Sequence, residues 1–133
     1  SNNPTGDTYS FYQEDLTDKL RLGKLETYNE KINTLTSSST ITVDCALAPF
    51  HTVTLATNTQ FVLTNLVAGQ SVTIKIKQDG TGSRTGAFGT ADSTAVKFAG
   101  GAPTLSTGGN AIDVISVMYD GTDYIGNVAK AFA

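Results

Sequence analysis

The chain of 133 residues has no tryptophan, and only one cysteine, one histidine, one methionine and three prolines. Each scarcity closes off a class of explanation. Cys45, as the single thiol, forms no intrachain disulfide and no thiolate zinc cluster, so a buried, inert side chain is expected there. His51, the single imidazole, has no sequence-near Cys or His with which to hold a metal or share a proton. Beside Phe50 at the start of a strand pattern, it reads as an ordinary edge position. No cofactor and no metal site is expected.

Positive charge is also scarce. Nine Lys and Arg stand against twelve Asp and Glu, a net charge of -3. The closest basic pair in the strand-rich part, Lys75 and Lys77, alternates along one strand and reads as a solvated face. Nucleic-acid binding needs a basic face, so no nucleic-acid partner is expected. The N-terminal stretch SNNPTGDTYSFYQ has neither a basic n-region nor an apolar h-region. No run approaches the length of a membrane span, and no membrane partner is expected.

What remains is glycine (13 residues), abundant threonine and a hydrophobic fraction of 39%, a profile that suits turn-rich β-structure. The length fits one domain plus an appendage. Composition shifts near Thr36: all three glutamates precede it, and every later acid is an aspartate, a residue of turns. Before the shift, Ser10-Phe11-Tyr12-Gln13 resembles a capping box, with Leu16 and Leu20 four apart and Gly23 as a stop. Leu25, Tyr28, Ile32 and Leu35 follow at helical spacing. Residues 1–39 are therefore expected to form a short N-terminal arm with helical turns, closing on the linker TSSST (36–40).

Alternation then dominates: Ile41 and Val43; Val53 and Leu55; Phe61 and Leu63; Val72, Ile74 and Ile76; Val96 and Phe98. The run IDVISVMY (112–119) reads as a central strand, and Asp120-Gly121 as a hairpin turn into Tyr124–Val128. No repeat is visible. With no helix between the strands, residues 40–133 are expected to form an all-β module, an antiparallel β-sandwich of jelly-roll type or a small barrel.

Candidate sites are few. GTGSRTG (80–86) looks like a phosphate loop, but no Lys-Ser/Thr follows and no helix can begin at Ala87-Phe88-Gly89. Asp79-Gly80 is a turn dipeptide, so the loop reads as structural. DGTD (120–123) lacks the further oxygen ligands of a calcium loop. Tyr119 and Tyr124 flank it and are expected to pack across the strands. No nucleophile elbow and no paired carboxylates stand out, and no catalysis is expected.

The β-region, about residues 40–133, resembles a module of virion structural proteins of tailed bacteriophages, found at tail-fibre ends and in capsid-associated proteins. The resemblance rests on VTLATNTQFVLTNLVAGQSVTIKIKQDGTGSRT (53–85), APTLSTGGNAIDVISVMYDGTDYIG (102–126) and the close at Phe132-Ala133. Within these, Gln78-Asp79-Gly80-Thr81-Gly82, Pro103-Thr104-Leu105-Ser106 and Tyr119-Asp120-Gly121 occur in order. Family members often carry an aromatic-proline stretch where this chain has Gly86-Ala87-Phe88-Gly89. The resemblance implies a compact β-sandwich, commonly a homotrimer, with a structural or adhesive role.

If Ser1 follows a removed initiator methionine, the chain is too short to be a fibre. The expectation is then a capsid decoration (cement) protein on the outer capsid surface. Its arm would grip the major capsid protein through Leu16, Leu20, Leu25, Tyr28 and Ile32, while the module projects outward as a homotrimer and bridges capsomers. The alternative is a tail-fibre or receptor-binding module recognising host-surface carbohydrate. A small polysaccharide hydrolase is the third class.

Overall fold

Threonine, valine and isoleucine are stiff at χ1 and suit pleated backbone, and every regular element among the described residues is a strand. The computed structural model describes residues 24–133. Its strands are β1 (Ile32–Thr34), β2 (Thr40–Asp44), β3 (Phe50–Leu55), β4 (Thr59–Thr64) and β5 (Ser71–Gln78). β6 (Gly86–Thr90), β7 (Val96–Phe98), β8 (Ile112–Tyr119) and β9 (Tyr124–Phe132) follow. They form a six-stranded sheet in the order β1-β3-β5-β8-β9-β7 and a three-stranded sheet in the order β2-β4-β6.

From β1 to β6 the chain changes sheet at every turn. Each of β1 to β4 therefore pairs in parallel with the strand two further on, and none of β1 to β6 with its sequence neighbour. Ile32 stands opposite Phe50 and Phe50 opposite Thr73, steps of 18 residues (32 to 50) and 23 (50 to 73). In the smaller sheet the steps are 20 (Thr40 to Gln60) and 27 (Gln60 to Ala87). This is the winding of a short two-sided solenoid, each coil laid on the one before. Because the steps are unequal, the coils leave no repeat in the sequence.

The corners stack as the strands do. Ser37 Oγ accepts from the Ala56 N–H at 2.9 Å, and Thr59 Oγ1 donates to the Ser38 carbonyl at 2.8 Å. The Thr59 N–H donates to Thr85 O, and Asn58 Oδ1 accepts from the Thr85 N–H, both at 2.9 Å. The stretch TSSST thus forms the first corner, and the larger sheet already begins at Ile32.

After β6 the rule changes. β8 runs antiparallel to β5 and to β9, and β7 joins β9 in parallel. The expected hairpin is present: Tyr119 pairs with Tyr124, their rings stacked at 4.1 Å and 11°. Asp120 Oδ1 accepts from the Thr122 and Asp123 N–H groups at 2.7 Å each.

The alternating residues from Ile41 to Ile76 are buried as expected and form one cluster with Ile115 and Val117 between the two sheets. Phe61 is fully buried and stacks on Phe88 with ring centroids 5.1 Å apart.

Two expectations are corrected. The all-β class stands, but antiparallel, jelly-roll pairing does not: among the described strands the antiparallel ladders are β5–β8 and β8–β9, and the other five are parallel. Parallel strands need a long crossover, and here the crossover is a strand of the opposite sheet rather than a helix. The helical spacing of Leu25, Tyr28, Ile32 and Leu35 does not produce a helix: 24–31 has no regular structure and Ile32–Thr34 is a strand. A lone short helix is marginal in water, whereas β1 gains a ladder with β3, and Leu35 packs against the core. The capping box, Leu16 and Leu20 lie outside the described residues.

Phe61 joins the two sheets at their common core. Phe61→Ala is expected to destabilise the fold by about 3–5 kcal/mol, as for other buried aromatic truncations. Chemical denaturation checks this; a loss below about 1 kcal/mol would mean that the site collapses to fill the space.

Candidate functional site

The loop after β5 explains its own glycines. The Thr81 and Gly82 amides, which a bound phosphate would need, donate instead to Asp79 Oδ1 at 3.1 and 2.8 Å. Arg84 closes the ring with an ion pair to Asp79 Oδ2 at 2.9 Å. Buried Gln78 reads the Arg84 backbone from beneath: Nε2 donates to its carbonyl at 2.8 Å and Oε1 accepts from its N–H at 2.9 Å. Gly82 has φ of +75°, and a Cβ there would meet the Thr107 carbonyl and the Gly109 amide. The loop is a self-satisfied corner.

His51 is more deeply placed than expected. It is wholly buried on β3, inside β1, with Nε2 donating to the Ala48 carbonyl at 2.9 Å. Nδ1 faces the Asn33 side-chain amide at 3.2 Å and accepts from it in the neutral tautomer. Burial pushes the His51 pKa below its ordinary value, against the smaller opposing effects of the Ala48 carbonyl and Asp44. Both ring nitrogens are engaged, so no Ser–His–Asp relay passes through this residue.

Asp113 was hidden in an apolar run. It is buried on β8 and accepts from the Ser106 N–H (2.6 Å), Ser106 Oγ (2.7 Å) and the Ala131 N–H (2.8 Å). It ties the loop before β8 to the end of β9, beside a register shift between Ile112 and Val114. Asp44 binds Asn65, Asp92 binds Thr90, and Asp123 binds Lys97. With Asp79 and Asp120, all six aspartates after Thr36 hydrogen-bond within the fold. Cys45 is buried, and burial pushes its thiol up to about 11, so it stays protonated at neutral pH. Among the described residues, no group of three or more His, Cys, Asp or Glu could hold a metal ion.

Among the described residues, several large apolar side chains face outward. Of the anchor residues named from the sequence, Leu25 and Tyr28 stand exposed on the segment before β1, and Ile32 stands exposed on β1 itself. The fold does not gather them into a pocket; it leaves them in succession along the segment that enters the first coil and on its first strand. Phe88, Val96, Phe98 and Pro103 line a cavity of about 360 Å³ between β6 and β7, where the two sheets part. On β9, a Cβ at Gly126 would strike the Phe98 ring, so glycine lets that ring pack there. The cavity offers apolar contact, with Lys97 its one ionisable lining group.

Comparison of the chain with protein-family models, with curated proteins and with solved structures finds no match.

Two limbs are expected in the acid dependence of stability. The folded pKa of His51 lies below its ordinary 6.5, so its contribution is complete above 6.5 and declines as pH falls below it. Asp79 is held below 3.8 chiefly by Arg84, Asp44 by Asn65, Asp92 by Thr90 and Asp120 by the Asp123 N–H. Their contribution is complete above 3.8 and is lost as pH falls through the lower folded values. Melting temperatures measured across this range should fall first below 6.5 and again below 3.8, and Asp79→Asn should shrink the second fall. A flat first limb would contradict the buried neutral imidazole.

A second expectation concerns the buried carboxylate. Asp113→Ala orphans the Ser106 and Ala131 amides and should destabilise the fold by about 2–4 kcal/mol, read by denaturant unfolding.

Proposed function

We propose that this chain is a virion structural protein of tailed bacteriophages that decorates the outer capsid surface. In this proposal it binds the major capsid protein, assembles as a homotrimer and stabilises the shell by bridging capsomers. The observation that carries the proposal is the segment that leads into β1, where Leu25, Tyr28 and, at the start of β1, Ile32 are 58%, 69% and 62% exposed. Large apolar side chains held out of the core in succession suit a surface that is covered on assembly. The engagement of all six module aspartates in the fold supports a binding role over a catalytic one.

The mechanism is mechanical. A two-sheet scaffold offers a rigid body, and apolar anchors join it to neighbouring capsomers. Threefold closure would make modest contacts act together, so that avidity exceeds the affinity of one arm.

A receptor-binding or tail-fibre role directed at host-surface carbohydrate is the second proposal, favoured by the Phe88–Phe98 cavity. Adsorption of the purified protein to host cells, lost on Phe98→Ala, would support it.

The test uses capsids lacking this protein. Leu25→Asp with Tyr28→Asp should weaken co-sedimentation roughly tenfold or more, as expected for removal of apolar anchors, while the melting temperature stays put. Leu16→Asp with Leu20→Asp should do the same. A chain lacking residues 1–31 should remain folded and fail to bind; truncation at 35 would remove β1 as well. Undiminished capsid binding by these variants would sink the anchoring role.

A further inference from the structure

The two surfaces of the six-stranded sheet differ in charge as well as in burial. Its six strands contain one acidic residue, Asp113, and that residue points inward. The outer face therefore carries no carboxylate from its strands, although the whole chain has a net charge of -3. It is also broad. Register places Ile32, Phe50, Thr73, Ser116 and Asn127 in one row across five strands.

Lys75 and Lys77 follow Thr73 on the outward side of β5, near the middle of the face. Among the described residues neither makes an ion pair, whereas Lys97, at the far edge, is paired with Asp123 at 2.7 Å. Four of the eight large apolar side chains exposed among the described residues lie on this face: Ile32, Met118, Ile125 and Phe132. Ile32 also ends the exposed segment that carries Leu25 and Tyr28, so segment and face form one continuous surface.

We infer that the outer face of the six-stranded sheet is a docking surface for a flat protein surface bearing carboxylates among apolar side chains. The occupant is the capsid shell, and this part of the inference rests on the decoration proposal. Charge complementarity selects a carboxylate-bearing surface over a second copy of this face. A second copy offering the same face would set Lys75 and Lys77 against their counterparts with no carboxylate between them. The module then stands on the shell by its larger sheet, with the three-stranded sheet turned away.

The experiment measures binding of the full chain to purified shells lacking it, at low and high salt, for wild type and surface variants. Lys75→Glu with Lys77→Glu should bind roughly tenfold weaker or worse, and added salt should weaken the wild type more than the variant. Lys75→Gln with Lys77→Gln tests the same charges without reversal. Thr73→Trp keeps the charge, adds bulk at the centre of the face and should also weaken binding. All three should keep the wild-type melting temperature, because the positions point outward.

Wild-type binding that all three variants retain would overturn this inference and leave the decoration proposal standing. A change in self-association by sedimentation velocity, with shell binding intact, would assign the face to contacts between copies and overturn it too. Failure of the wild type to bind shells at all would overturn both.

Discussion

The parallel ladder between β3 and β5 is the constraint on which the other features depend. It runs through six residue pairs, from Phe50–Thr73 to Leu55–Gln78, and fixes the third coil on the second. It sets Val53 beside Ile76 and His51 beside Ile74, which aligns the inward rows of the core. At its far end the Asp79 N–H donates to the Leu55 carbonyl at 3.0 Å, which starts the Asp79–Arg84 corner. A slip of one residue would turn Lys75 and Lys77 into the core and Ile74 and Ile76 out of it.

Seen from that ladder, the polar groups share a task. Parallel coils must turn a corner twice per circuit, and each corner leaves backbone amides without a strand partner. Asn58, Ser37, Asp79, Gln78 and Asp92 supply those partners, and Asp113 does so where β9 bulges. No buried side-chain polar atom among the described residues lacks a partner. Among the described residues the six aspartates and His51 are thus engaged within the fold, and its surface presents an apolar segment, a broad face whose strands contribute no outward carboxylate, and an aromatic-lined cavity.

Much of this was legible in the sequence, and the parts that were not have physical reasons. Alternation identified the inward residues from Ile41 to Ile76 because a half-buried strand has a period of two wherever its sheet lies. For the same reason it could not say which sheet a strand joins, so the strands were expected to pair antiparallel. The true hairpin was legible because Asp120-Gly121 specifies its own turn. β6, Gly86–Thr90, was not, since glycine at both Gly86 and Gly89 hides strand propensity behind packing needs. Leu25, Tyr28, Ile32 and Leu35 show helical spacing, yet pairing with β3 outweighs it at Ile32. Asp113 was invisible as a clamp because its partners, Ser106 and Ala131, lie in separate parts of the chain.

The central proposal is that this molecule decorates the capsid shell. Its copy number in purified phage particles, by quantitative mass spectrometry against the major capsid protein, tests that claim most directly. An abundance comparable with the capsid protein is the expected result, since a shell-stabilising protein must cover the shell. A few copies per particle would contradict it and move the molecule to the tail.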